Sequence, residues 1–272
     1  MMKPLGLGYQ KIHMFPNFCM LSYLENVELI ECIRCGHSHY KPRTSMEKTL
    51  VAYKKLRYFP ITPRLQRLFM SPRTVKHMTW HQSHDAVDGM MVLHSNDEAW
   101  KHFNSVHHHF SAESRNVRLK LCTDEFNPFE SFATPYSCWP VILTVYNLPL
   151  EMYMRLKFMF LSTVIPSPNS PDWNIDVCLW LLIDELTLLW SSRALTYDIS
   201  RKQNYLTRAA LIWTINDFPA YGMFYGWSTH GKLECPYCME NNKAFTLTNK
   251  GKAFFFTTTV IFCQRIIDIE RT

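Results

Sequence analysis

The apolar run Ala209-Ala-Leu-Ile-Trp-Thr-Ile215 reads as a buried strand, and it stops abruptly at Asn216, Asp217 and, two residues on, the helix-breaking Pro219. A carboxylate at the end of a strand is placed like a metal ligand. Cys235-Pro-Tyr-Cys238 follows 18 residues after Asp217, at the spacing that lets two thiolates share one zinc ion.

Three more strands are expected upstream. Asn116-Val-Arg-Leu-Lys-Leu-Cys-Thr123 alternates apolar and polar side chains, as a half-buried strand does, and ends at Asp124. Trp139 to Tyr146 supplies a second and Leu156 to Ile165 a third. A turn from Pro166 to Asn174 then leads to a core-facing helix, in which Ile175, Leu179, Leu182, Ile183, Leu186 and Leu189 recur at helical spacing. Arg208 to Asn216 is the fourth strand. Strand, strand, strand, helix, strand is the opening half of a ribonuclease-H-like domain, an α/β fold with a mixed sheet. In that fold the first and fourth strands are parallel neighbours, which would set Asp124 and Asp217 side by side.

With 272 residues, 47% of them hydrophobic, the chain has material for a real core. The longest apolar stretch, around Val141 to Ile165, is broken by Asn147, Pro149, Glu151, Arg155 and Lys157, so no membrane span of about 20 residues is expected. No secretory leader is read at the start. An odd number of cysteines, 9, with two CxxC pairs, fits reduced thiols and metal sites better than a disulfide framework.

The formal charge of +6 is uneven: residues 1 to 120 carry 17 basic against 9 acidic side chains, and residues 121 to 272 carry 12 against 14. The basic half suits phosphate. Lys41 to Lys76 holds 10 basic side chains against the single acid Glu47. Within it Arg57, Arg64 and Arg67 are candidate DNA contacts, while Leu65, Leu68 and Phe69 are expected to pack inward. A solvated basic connector is the plainer reading of the same stretch.

Nearer the N-terminus, Cys19 and Cys32-Ile-Arg-Cys35-Gly36 form a knuckle-like set of zinc ligands, with Gly36 supplying the positive φ that such a turn needs. His13, His37, His39 or water is left as the fourth ligand. Histidines recur from His77 to His109, including the run His107-His-His109; three consecutive imidazoles point in different directions, and a structural role is expected for this segment.

Ser114-Arg-Asn-Val-Arg-Leu119, Asp124-Glu-Phe-Asn-Pro-Phe129, Trp139-Pro-Val141, Tyr146-Asn-Leu-Pro149, Ile183-Asp-Glu-Leu186, Trp213-Thr-Ile-Asn-Asp-Phe-Pro-Ala-Tyr221 and Gly226-Trp-Ser-Thr229 together resemble the CACTA (En/Spm-type) DNA transposases of plants, from about Met1 to about Phe254. The resemblance implies a divalent-metal-dependent endonuclease and strand-transferase acting in the nucleus on transposon ends and target DNA. Asp124 and Asp217 would be catalytic ligands of two Mg²⁺ or Mn²⁺ ions, and zinc would sit on Cys19, Cys32 and Cys35 and on Cys235 and Cys238. Phe15 stands where the family usually has another cysteine, and Glu125 where it has glycine.

The third catalytic acid, a Glu expected well downstream, has no counterpart, and the tail after Phe254 matches nothing expected. We therefore expect a fragment lacking the C-terminal part, inactive alone. Its expected parts are residues 1–45 (knuckle-like), 46–113 (basic helical lead-in), 114–250 (partial catalytic domain) and 251–272 (divergent tail). Its expected partners are DNA and a full-length transposase or further copies of the chain. Two alternatives stand beside this: a non-enzymatic nuclear DNA-binding protein derived from a transposon, and an inert relic that associates through the edge of the fourth strand.

Overall fold

The computed structural model describes residues 8–42, 49–83, 97–127, 138–166, 171, 174–216, 222–224, 244–246 and 253–255. Contacts divide the chain into two units, Met1–Ile215 and Asn216–Thr272.

The first unit is built on a seven-stranded sheet. Its elements in chain order are β1 (Gln10–Met14), β2 (Leu21–Ser22), β3 (Lys54–Tyr58), α1 (Thr62–Met70), α2 (Trp80–Ser83), α3 (Glu98–Val106), α4 (His108–Ser111), β4 (Val117–Thr123), β5 (Trp139–Val145), α5 (Leu150–Tyr153), β6 (Met159–Ile165), α6 (Ile175–Ser191), β7 (Ala194–Asp198), β8 (Gln203–Thr207) and β9 (Ala209–Asn216). Across the sheet the order is β2-β1-β3-β6-β5-β4-β9, while β7 and β8 form a separate antiparallel hairpin. The pairs from β2 through β4 are antiparallel. At the beginning of β4 the Val117 N–H donates to the Arg208 carbonyl at 2.8 Å, just ahead of β9. Neighbouring strands joined at their beginnings run the same way, so the sheet is mixed. In the second unit, β10 (Ala244–Thr246) pairs antiparallel with β11 (Ala253–Phe255).

The expected strand, strand, strand, helix, strand succession is present as β4, β5, β6, α6 and β9, with boundaries within three residues of those read from the sequence. The structure adds the β7–β8 hairpin between the helix and the last strand. It also adds β1, β2 and β3, which extend the same sheet past β6; β3 lies in the stretch expected to be a helical lead-in. The expected helix Arg64–Met70 begins earlier, at Thr62, because Pro63 sits in the first turn, where its missing N–H is harmless.

Alternation drives burial. Val117, Leu119 and Leu121 of β4 and Val141, Leu143 and Val145 of β5 are all essentially inaccessible. Helix α6 buries Ile175, Cys178, Leu179, Leu181, Leu182 and Leu189. Ile183, expected in the core, is 50% exposed, because it lies about 100° around the helix from buried Leu182. The same face of the sheet includes Met14, whose thioether lies 3.9 Å from the Cys178 thiol, and Tyr58, whose hydroxyl donates to Glu185 of α6.

Buried polar side chains stitch β4 to its neighbours. The Asn147 amide oxygen accepts from the Arg118 N–H at 2.8 Å, and its amide nitrogen donates to the Asn116 carbonyl at 2.9 Å. The Asn116 side chain accepts from the Arg208 N–H at 2.9 Å and donates to the Phe110 carbonyl at 2.8 Å. The Arg118 guanidinium is buried 4.4 Å from the Trp100 ring centre and donates to Asn104 at 2.7 Å, and burial pulls its pKa down to about 10. The hairpin is tied down at Asp198, which is 1% exposed and accepts from Ser200 Oγ (2.6 Å), the Ser200 N–H (2.9 Å) and the Arg115 guanidinium (3.3 Å).

Candidate metal centre

Two loops converge on three thiols. The first follows β1, where Phe18 adopts φ 56° just before Cys19. In the second the Gly36 N–H donates to the Cys32 carbonyl at 2.8 Å and the Cys32 N–H to the His37 carbonyl at 2.9 Å. Gly36 has φ +69°, the left-handed conformation expected of it. The Cys19 Sγ lies 3.1 Å from that of Cys32 and 3.3 Å from that of Cys35. All three sulfurs fall within 4.8 Å of one another. Phe15, Met20 and Leu29 pack around them.

Such a set suits a soft or borderline cation such as zinc, which thiolates bind at about 2.3 Å. Burial and the hydrogen bonds to Cys32 and Cys35 push the Cys19 thiol up to about 12. For Cys32 burial opposes ionisation, but the bond from Cys19 and the Arg34 N–H outweigh it, and its pKa falls below the ordinary thiol value. Of the hydrogen-bonded pair Cys19 and Cys32, Cys32 is therefore the more readily ionised.

The three histidines considered as a fourth ligand do not join the group. The His37 ring bonds the Cys35 carbonyl at 2.9 Å. His13 and His39 pack on each other with ring centres 5.5 Å apart, and His39 also meets Phe15 edge-on at 5.0 Å. Burial lowers the pKa of both histidines. The side chain of Phe15 is fully buried against the thiols. Among the described residues, Cys19, Cys32 and Cys35 are the one group of at least three metal-competent side chains. The run His107-His-His109 forms none; His107 packs edge-on to Trp190 at 5.1 Å.

Asp124 directly follows β4 and is exposed, and its carboxylate accepts from the Glu125 N–H at 2.7 Å. Asp217, Cys235 and Cys238 lie outside the described residues. Arg57 and Arg67 are exposed, whereas Arg64 is 8% exposed and donates to the Leu161 carbonyl at 2.7 Å. Leu65, Leu68 and Phe69 are buried, as expected. Glu185 points inward to Tyr58 and α1.

The profile of the transposase family tnp2 matches residues 88–265. The chain belongs to this family, the CACTA (En/Spm-type) transposases. The matched segment takes in β4, β5, β6, α6 and β9, and with them the Asn116–Asn147 network. The three-thiol group lies ahead of it. No curated relative matches the chain. Among the described residues, no helix is long and apolar enough to cross a membrane.

Proposed function

We propose that the chain derives from the catalytic part of a CACTA transposase, a DNA phosphodiester-cleaving and strand-transferring enzyme, with Asp124 and Asp217 as descendants of its metal-binding carboxylates. The observation that carries this reading is the order β6-β5-β4-β9, with β9 beside β4 and running the same way. In sequence Asp124 is the first residue after β4 and Asp217 the first after β9. That order supports the ribonuclease-H-like reading of this part of the sheet. Divalent Mg²⁺ or Mn²⁺ would relieve carboxylate repulsion and supply Lewis-acid stabilisation of a phosphodiester oxygen. The substrates in this reading are transposon ends and target DNA in the nucleus, and a complete transposase would supply the third acid. Zinc on Cys19, Cys32 and Cys35 would be structural.

Plasmid nicking by the purified chain in Mn²⁺, compared with an Asp124→Ala, Asp217→Ala double variant, tests the assignment. Nicking that disappears in the variant supports it. Equal nicking by both proteins, or by neither, refutes residual catalysis by this pair. A second reading, a transposon-derived DNA-binding protein without catalysis, is favoured by the exposed cations of β1 and β3. It predicts salt-dependent DNA binding that the double variant retains.

A further inference from the structure

One face of the β1–β3 pair carries three cross-strand rungs of unusual composition. Lys11 lies opposite Arg57 and His13 opposite Lys55. The register continues to Tyr9 and Phe59, whose rings stack at 5.4 Å and 29°. Directly opposed like charges on adjacent strands are destabilising. Among the described residues none of Lys11, Lys55 and Arg57 is in an ion pair. The repulsive Lys11–Arg57 rung, with the Lys55 cation on the next rung, suits an anion that lies along them.

The aromatic rung opens onto a hollow. A cavity of about 430 Å³ lies between α1 and the start of β6, with Phe59, Leu68 and Phe158 on its walls and Arg64, Arg67 and Lys157 among its lining. A second hollow of about 310 Å³, reaching Tyr9, shares Arg64 and Arg67 with it. The bond to the Leu161 carbonyl fixes Arg64, whose guanidinium carbon stands 5.5 Å from the Phe59 ring centre. A cationic track leading to apolar, aromatic-walled hollows matches a strand of phosphates whose bases are unstacked, since stacking on aromatic walls is available only to unpaired bases.

We propose that this face holds single-stranded DNA, with phosphates along Lys11, Arg57 and Lys55 and a base seated in the hollow beside Phe59. The assignment rests on the DNA reading above and names the form of DNA taken at a place away from Asp124.

The test uses the whole chain in EDTA and follows the anisotropy of a fluorescein-labelled 12-nucleotide strand across a salt series. The same strand as a duplex and an all-abasic strand of equal length are the comparisons. Single-stranded DNA is expected to bind at least about tenfold tighter than the abasic strand, the scale of one seated base. It should also bind tighter than the duplex. A Lys11→Gln, Arg57→Gln double variant should bind more weakly and flatten the log K against log salt slope by about 1.4, two phosphate contacts at roughly 0.7 each. Its thermal midpoint should rise by about 1 to 3 °C, because a repulsive rung has been removed, and that also shows the variant is folded. Equal binding of abasic and normal strands, a duplex bound as tightly as the single strand, or an unchanged salt slope overturns the proposal. Single-strand binding without Mn²⁺-dependent nicking would sink only the catalytic reading. Nicking without single-strand preference would sink only this one, and absence of binding to any DNA would sink both.

Discussion

Glu185 is expected to be the most sensitive side chain outside the apolar core. The N-cap of helix α1 is Ile61, which offers no capping side chain, and Pro63 in the first turn has no N–H. The Arg64 and Leu65 N–H groups both turn back to the Ile61 carbonyl at 3.0 Å. The donors left over, the N–H groups of Ile61 and Thr62, go to Glu185 of α6 at 2.9 and 2.8 Å, and the buried Tyr58 hydroxyl donates to the same carboxylate. Burial first, then the Glu185 charge, raises the Tyr58 pKa, so the phenol remains a donor. In the Glu185→Ala variant a helix cap is lost, about 0.5–2 kcal/mol, and a buried hydroxyl is orphaned, about 1–3 kcal/mol. Together these give a destabilisation of about 2–4 kcal/mol, or roughly 5–15 °C in thermal midpoint for a unit of this size. Glu185→Gln keeps an acceptor oxygen and should lose about 1 kcal/mol. Asp184→Ala, one residue away with no hydrogen bond of its own among the described residues, should stay within about 0.5 kcal/mol. Urea unfolding of the four proteins reads all of this, and equal midpoints for the Glu185→Ala and Asp184→Ala variants would refute the tertiary cap.

Asp198 titrates below its usual range, because hydrogen bonds from Ser200, Arg201 and Arg115 outweigh its burial. A depressed carboxylate pKa contributes stability above the unfolded value, near 4, and loses it as pH falls through the folded value. Asp198→Asn should therefore be destabilised by about 1–3 kcal/mol at pH 7, with the gap to the parent protein closing at pH 3 in urea melts. Lys54 is half-buried with its ammonium 3.2 Å from the Phe18 ring centre, and burial draws its pKa down to about 8. The unfolded chain holds that proton more tightly, so stability should rise between pH 8 and about 10. Lys54→Met should abolish that rise and stabilise the protein at pH 7 by about 1 kcal/mol, read by thermal melts across pH. One equivalent of Zn²⁺ should raise the melting midpoint, by about 3 kcal/mol of stability at a hundredfold excess over its dissociation constant. Chelator should reverse this and Cys32→Ser should abolish it, whereas a midpoint unmoved by Zn²⁺ would show the three thiols to be packing groups.

Strands β4, β5, β6 and β9 and helix α6 were legible because one face of each is buried, and burial writes a period of two or near 3.6 into the sequence. The hairpin β7–β8 was not, because Leu195 and Leu206 are 63% and 49% exposed and the buried partners include Thr196, Asp198 and Thr207. A polar inward face carries no hydrophobic period. β3 was hidden in the same way: Lys54 and Tyr58 bracket Leu56 in Lys-Lys-Leu-Arg-Tyr, and the charge drew attention from the alternation. Among the site residues, the three thiols were legible from spacing, and the structure brings them together. That Phe15 would fill one side of them, and that no histidine would join, depended on side-chain direction, which spacing leaves open. In the sequence, the motif residues Arg115, Asn116, Arg118 and Asn147 point to ancestry alone. Their hydrogen bonds show what they do: Asn116 fixes the beginning of β9 beside the beginning of β4, Asn147 holds Asn116 and the Arg118 N–H from the other side, and Arg115 ties down the hairpin at Asp198.

The two ends of the sheet are protected unequally, and that difference gives a last prediction. At one end β2 has only two residues, too few to template another strand. At the other end β9 has eight, and among the described residues no strand pairs with its far side. Its outward positions are apolar, with Leu211 37% and Ile215 50% exposed. A long apolar edge recruits strands from other copies, and an inward or edge lysine blocks this because its charge would have to be desolvated between paired strands. Ile215→Lys should therefore slow concentration-dependent light scattering of the purified chain severalfold while leaving the urea midpoint within about 0.5 kcal/mol, since the side chain it replaces is half in water. Leu195→Lys, equally apolar and more exposed but on the separate hairpin, should leave scattering unchanged. Equal slowing by both substitutions would mean that added charge alone controls association, and the edge of β9 would have no special part in it.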